Sequence, residues 1–264
     1  MARGLLLRLI NQIEWKLLFK GAAASILLFW VWVSGFSFFS FVVFFAGSAF
    51  LHFSESEDSA LVRNSLLILS VSALIILRIV SGLVANALPE LLIIISYGSL
   101  ILLFLLLKRS YFRDQVFVYG IFNALTIFFF LLAVLSLRSA PAFIEQSAFW
   151  KIMSSVSTMV VLFLGVSVLV RDTFQFFGVS VGGKRIFLIS GSLAFICAEL
   201  VWITGFLPLG AINSAALIAV FLVLARDALF ANFEGKLNTR FALREGTVFI
   251  AAVVLLFAAS PWSI

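Results

Sequence analysis

The sequence predicts an all-α, polytopic integral membrane protein: a helical bundle of about nine transmembrane spans with short loops, N-terminus inside and C-terminus outside. Three observations carry this. Hydrophobic residues make up 64% of the 264, against ~45–50% in soluble domains. Charged residues make up 11%, against a usual ~25%. The apolar residues also gather in runs near the ~20 residues that a helix needs to cross the bilayer's hydrocarbon core. A soluble globule could not cover its surface with this residue set, which includes 32 Phe. A disordered chain would be polar and poor in aromatics.

Nine runs meet or approach the spanning length: 17–34, 36–53, 65–85, 91–107, 116–136, 148–170, 186–206, 208–225 and 246–262. The first two are continuous except at Ser34-Gly35. As one helix they would reach about 55 Å, too long for a single crossing, so a tight hairpin is expected there. The eighth and ninth runs are short and are the weakest members of the set. Ahead of the first run, Arg3, Arg8, Glu14, Lys16 and Lys20 leave no long uncharged core, so no cleaved signal segment is expected.

Charge supports the count. With the N-terminus inside, fifteen of the 18 Lys and Arg fall in inner segments. Only Arg138 and Lys151 fall outside, and Arg78 lies within a span. Such a bias sets orientation in membranes and accounts for the net charge of +6 without nucleic acid, for which no basic stripe or recognition module exists. Trp30, Trp32, Trp150, Trp202 and Trp262 then sit near the outer interface and Trp15 near the inner one, where indoles prefer to lie. The expected location is the cell or cytoplasmic membrane, and the expected partners are the lipid bilayer and other membrane proteins.

The whole chain reads as one transmembrane domain, with two further segments of interfacial character. In 1–16, Leu5, Leu6, Leu9 and Ile13 recur at helical spacing opposite Arg8 and Asn11. In 226–244, Phe230, Phe233, Leu237 and Phe241 do the same opposite Asn232, Glu234 and Arg240, with Gly235 as a break. Each suits a helix in the inner headgroup layer or a short solvated loop helix.

A weak parallel repeat relates 65–107 to 186–225. Leu69-Ser70-Val71-Ser72 parallels Ile189-Ser190-Gly191-Ser192, and Leu88-Pro89 parallels Leu207-Pro208. A second echo joins Val168-Leu169-Val170-Arg171-Asp172 to Val223-Leu224-Ala225-Arg226-Asp227, with Phe174 and Phe230 following. Duplication of helical units would explain both, as in many transporters. Chance likeness among apolar helices is the simpler account. The Arg-Asp pairs, with Arg113-Asp114 and Arg244-Glu245, read as headgroup anchors whose acid moderates the charge.

Ionisable groups inside a bilayer are the best default clue to function. Arg78 and Glu199 each lie well within a span, at similar expected depth nearer the outer face. They are the candidates for a substrate site or for an ion pair joining two helices. Glu90, Tyr97, Asn123 and Asn213 are secondary. Glu90 follows Pro89 at an outer turn and is expected to face water. Ser96, Tyr97, Asn123 and Asn213 suit helix–helix hydrogen bonds, while Ser70, Ser72, Ser190, Ser192, Gly82 and Gly205 suit close helix packing.

One Cys (Cys197) and one His (His52) preclude an internal disulfide and a site built from several His or Cys ligands, so no metal and no cofactor is expected. The acidic group Glu55, Glu57 and Asp58 lacks a full calcium ligand set, and Gly182-Gly183-Lys184 lacks the rest of a phosphate-binding loop. No catalytic residue is identifiable. Three functions remain: a small permease-like protein moving or binding a small molecule, ion or lipid; a non-catalytic membrane subunit or scaffold; and a lipid-modifying enzyme.

Overall fold

In hydrocarbon every backbone N–H and C=O must be paired within the protein, so an apolar run of spanning length folds as a helix. A computed structural model of the chain describes residues 15–53, 60–83, 87–108, 115–138, 148–176, 183–207, 209–233 and 235–259. Among the described residues there are nine helices and no strand. They are α1 (Trp15–Val33), α2 (Phe38–Phe53), α3 (Ala60–Leu83), α4 (Leu88–Lys108), α5 (Gln115–Arg138), α6 (Ala148–Phe176), α7 (Gly183–Thr204), α8 (Ala211–Phe233) and α9 (Thr239–Ala258). Each overlaps one of the nine apolar runs.

Seven of these, α3 to α9, are long and apolar enough to cross a membrane, while α1 and α2 carry shorter apolar stretches, Leu17–Val33 and Phe38–Phe50. Their length and composition are those of a multi-pass membrane protein. The order of strength differs from the sequence expectation. The eighth and ninth helices are 23 and 20 residues long, and the short members are the first two.

The reason lies in residues 226–244. This segment is not a helix of its own: Arg226 to Phe233 continue α8, and α9 begins at Thr239. Gly235 ends α8 at a φ of +67°, a left-handed conformation that glycine adopts at little steric cost. Its N–H donates to the Asn232 carbonyl at 3.1 Å, and the Lys236 N–H donates to the Ala231 carbonyl at 2.7 Å. That is the Schellman arrangement, which satisfies the last carbonyls of a helix. Three residues on, the Asn238 side chain accepts from the Phe241 N–H at 2.8 Å and caps α9. Residues 1–14, the acidic group at 55–58 and Arg113-Asp114 lie outside the described residues.

The expected hairpin at Ser34-Gly35 has the same chemistry. Gly35 takes a φ of +67°, and the Phe36 N–H donates to the Val31 carbonyl at 3.0 Å. Phe36 itself has a φ of +60°, unusual for a residue with a side chain.

The chain groups into two compact units, Met1–Asn123 and Ala124–Ile264, with the division inside α5. In the first, α1 packs against α2, α3 and α4, and α4 also packs on α3. The α1–α4 crossing is close because it is made by glycines. A β-carbon at Gly21 would lie 3.2 Å from the Gly98 carbonyl oxygen, and one at Gly98 would collide with Ser25. The Ser25 hydroxyl donates across the same crossing to the Ile94 carbonyl at 3.2 Å.

In the second unit, α6 packs on α7, α7 on α8 and α8 on α9. A β-carbon at Gly165 of α6 would collide with the ring of Phe130. No residue of α9 is buried. Gly82, expected at a helix contact, has nothing within 4 Å of its β-position.

Candidate functional site

Polar groups gather at two places in the first unit. The buried Ser70 hydroxyl of α3 lies 2.9 Å from the Tyr97 hydroxyl of α4. The ring of Phe44 on α2 packs 5.9 Å from the Tyr97 ring, so three helices meet at this node. Ser70 therefore joins two helices, whereas its repeat counterpart Ser190 donates within its own helix, to the Ile186 carbonyl at 2.8 Å. Ser72 likewise turns back to the Ile68 carbonyl. Ser96 is half-buried and Asn123 fully buried.

The second place lies toward the α3–α4 connection. Arg78 is eight residues beyond Ser70, and Glu90 is seven before Tyr97. At ~1.5 Å per residue both stand about 10–12 Å from the node, at similar height. Arg78 is exposed, and its guanidinium lies 5.0 Å from the centroid of the Phe36 ring. The strained residue of the α1–α2 turn thus supplies a cation–π partner, a contact worth ~0.5–1 kcal/mol at an exposed site.

Glu90 corrects the sequence expectation. It does not face water: it is 3% exposed, and its Oε2 has no hydrogen-bond partner among the described residues. Its place in the first turn of α4 gives it the favourable end of the helix dipole.

Glu199 belongs to the second unit. It is exposed on α7, five residues before the end of that helix. It stands on the wall of a groove of about 580 Å³ between α6 and α7. Ser155, Met159 and Phe163 line one side, and Phe195, Ala198 and Trp202 the other. Among the described residues Glu199 is the only ionisable side chain on that wall. Asn213 is half-buried near the start of α8.

A third polar locus was not singled out from the sequence. At the opposite end of this unit, Asp172 of α6 is 0% exposed and Arg226 of α8 is 4% exposed. The Arg226 guanidinium binds the Asp227 carboxylate at 2.8 Å. Beside them the ring of Phe174 lies 4.8 Å from Phe230 and 5.8 Å from Phe233. Arg226 is thus a buried group and not a headgroup anchor, while the pair Arg244–Glu245 does lie at the surface, at 2.6 Å. The signal was the second sequence echo. The phenylalanines that follow its two copies meet, Phe174 with Phe230, and burial is exchanged between the copies: the acid is buried in one and the base in the other.

Among the described residues no three His, Cys, Asp or Glu side chains are grouped to hold a metal. No protein-family model, curated protein or solved structure matches this chain. What fold and geometry define is therefore a class: a multi-pass helical membrane protein with one carboxylate set in an apolar groove.

Proposed function

We propose that the chain is a small permease-like membrane protein that takes a cationic amphiphile from the bilayer into the groove between α6 and α7. In this reading it has nine spans, its N-terminus inside and its C-terminus outside, in the cell or cytoplasmic membrane. The observation that carries it is Glu199, the one ionisable group among the described residues of a mostly apolar and aromatic groove wall. A carboxylate at membrane depth is costly unless a positive group neutralises it. A ligand with an alkyl chain and a cationic head satisfies both the walls and the acid. Movement across the membrane would require the groove to open alternately to either side.

Trp202 lines the groove and is a built-in reporter. The test titrates purified protein with a spin-labelled quaternary-ammonium amphiphile and with an uncharged analogue of equal chain length. Quenching assigned to Trp202, by difference from Trp202→Phe, is expected to favour the cation about fivefold or more, and Glu199→Gln to erase the preference. Equal quenching by both amphiphiles would overturn the reading. A non-catalytic membrane subunit is the second reading, favoured by α9: no residue of that helix is buried, and Leu243, Ile250, Val254 and Leu255 are exposed along it.

A further inference from the structure

The other flank of α7 carries a second groove, of about 620 Å³, between α7 and α8. Leu188, Ser192 and Ile196 of α7 line it, together with Ala228 and Asn232 of α8 and Leu237 of the turn after it. Ala228 leaves space between the helices that a larger side chain would fill.

One end of this groove is basic. Lys184 and Arg185 open α7 one turn before Leu188, and Arg185 reaches across to α8, its guanidinium 5.4 Å from the centroid of Phe233. The turn at Gly235 folds Lys236 back toward Ala231 and delivers Leu237 to the groove wall. Lys184, Arg185 and Lys236 are all exposed. Asp227, on the same end of α8, is bound to Arg226.

The dimensions match one leaflet. From Arg185 to Ile196 is eleven residues. That is about 16 Å of helix, close to half of the ~30 Å hydrocarbon core. A groove that begins among cations and ends near mid-membrane has the form of a single lipid chain below an anionic head.

We infer that this groove is a binding site for an anionic phospholipid. Its acyl chain lies against Leu188, Ile196 and Ala228, and its phosphate-bearing head meets Arg185 and Lys236. Positive side chains at the edge of transmembrane helices recognise such heads by charge, and Arg adds hydrogen bonds directed at phosphate oxygens. The site is separate from the Glu199 groove and does not depend on what that groove binds.

Native mass spectrometry of the full chain tests it, with phosphatidylglycerol and phosphatidylcholine of identical acyl chains. One phosphatidylglycerol is expected to bind about tenfold more tightly than phosphatidylcholine, from two added basic contacts. Arg185→Gln combined with Lys236→Gln should bring the two lipids within about twofold. Arg240→Gln combined with Arg244→Gln removes the same charge from α9, where neither arginine lines the groove, and should leave the preference in place. Ala228→Trp keeps every charge but fills the groove and should lose the bound lipid. Equal binding of the two lipids by the unmodified chain overturns the site. So does an equal loss of preference in the α9 variant, or full retention in Ala228→Trp.

Discussion

Single residues at membrane depth matter here because each polar group has few partners to choose from. Tyr97 and Ser70 form a hydroxyl pair with a separation of 2.9 Å. Such interhelical bonds contribute ~0.6–2 kcal/mol in membrane proteins. Tyr97→Phe and Ser70→Ala are each expected to lower stability in detergent by about that amount. The double variant should cost little more than the larger single one, because the two changes remove the same bond. Strictly additive losses in the thermal unfolding of the four proteins would show that the pair is not coupled. Tyr97 was legible in the sequence as a polar group in a span, but its partner was not. Ser70, Ser72 and Ser190 look alike in the chain, and only one of them crosses to another helix. A serine hydroxyl in a helix can always turn back to a carbonyl three or four residues earlier, and the presence of a tyrosine opposite decides otherwise.

Helices in this protein meet where small residues allow it, and sequence alone does not say which small residues those are. Gly21 and Gly98 bring α1 and α4 together, while Gly82, equally plausible by position, faces open space. Gly98→Leu should therefore separate the two helices and destabilise the first unit by about 3 kcal/mol or more, the upper end of overpacking costs. Gly82→Ala should cost nothing and raise stability by up to about 1 kcal/mol, since its β-carbon meets nothing and alanine favours the helix. A melting temperature unchanged in Gly98→Leu would sink the close-crossing account. Capping was more legible than packing. Ser34-Gly35 marked the first hairpin correctly, because a left-handed residue after a helix is a local need that glycine meets. Gly235, by sequence a break inside an interfacial helix, instead separates two long helices together with Asn238.

At the scale of the whole chain, the proposed nine crossings put the two ends of α7 on opposite sides of the membrane. The single cysteine makes this measurable, since Cys197 is buried and Glu199 is exposed. In a Cys197→Ser background, Lys184→Cys should react with an impermeant thiol reagent only after the inner face is opened, and Gly205→Cys should react in sealed cells. Reaction of both from the same side would exclude that orientation. Native Cys197 should label slowly from either side, because only a hydrated thiolate reacts quickly.

Composition and the length of apolar runs were enough to place in order the nine helices of the described residues, seven of them long and apolar enough to cross a membrane, because hydrocarbon leaves the backbone no alternative to helix. The ionisable residues inside spans were visible for the same reason: water is absent and charge is conspicuous. What surrounds each of them depended on the rotation and close approach of helices, which apolar sequences of near-uniform character encode only through shape. Tertiary structure alone turned Glu90 inward, set Arg78 over Phe36, placed Glu199 on a groove wall and buried Arg226 beside the Phe174–Phe230 stack. Helix formation in a membrane is decided locally by solvent, while the neighbours of a side chain are decided by which surfaces fit.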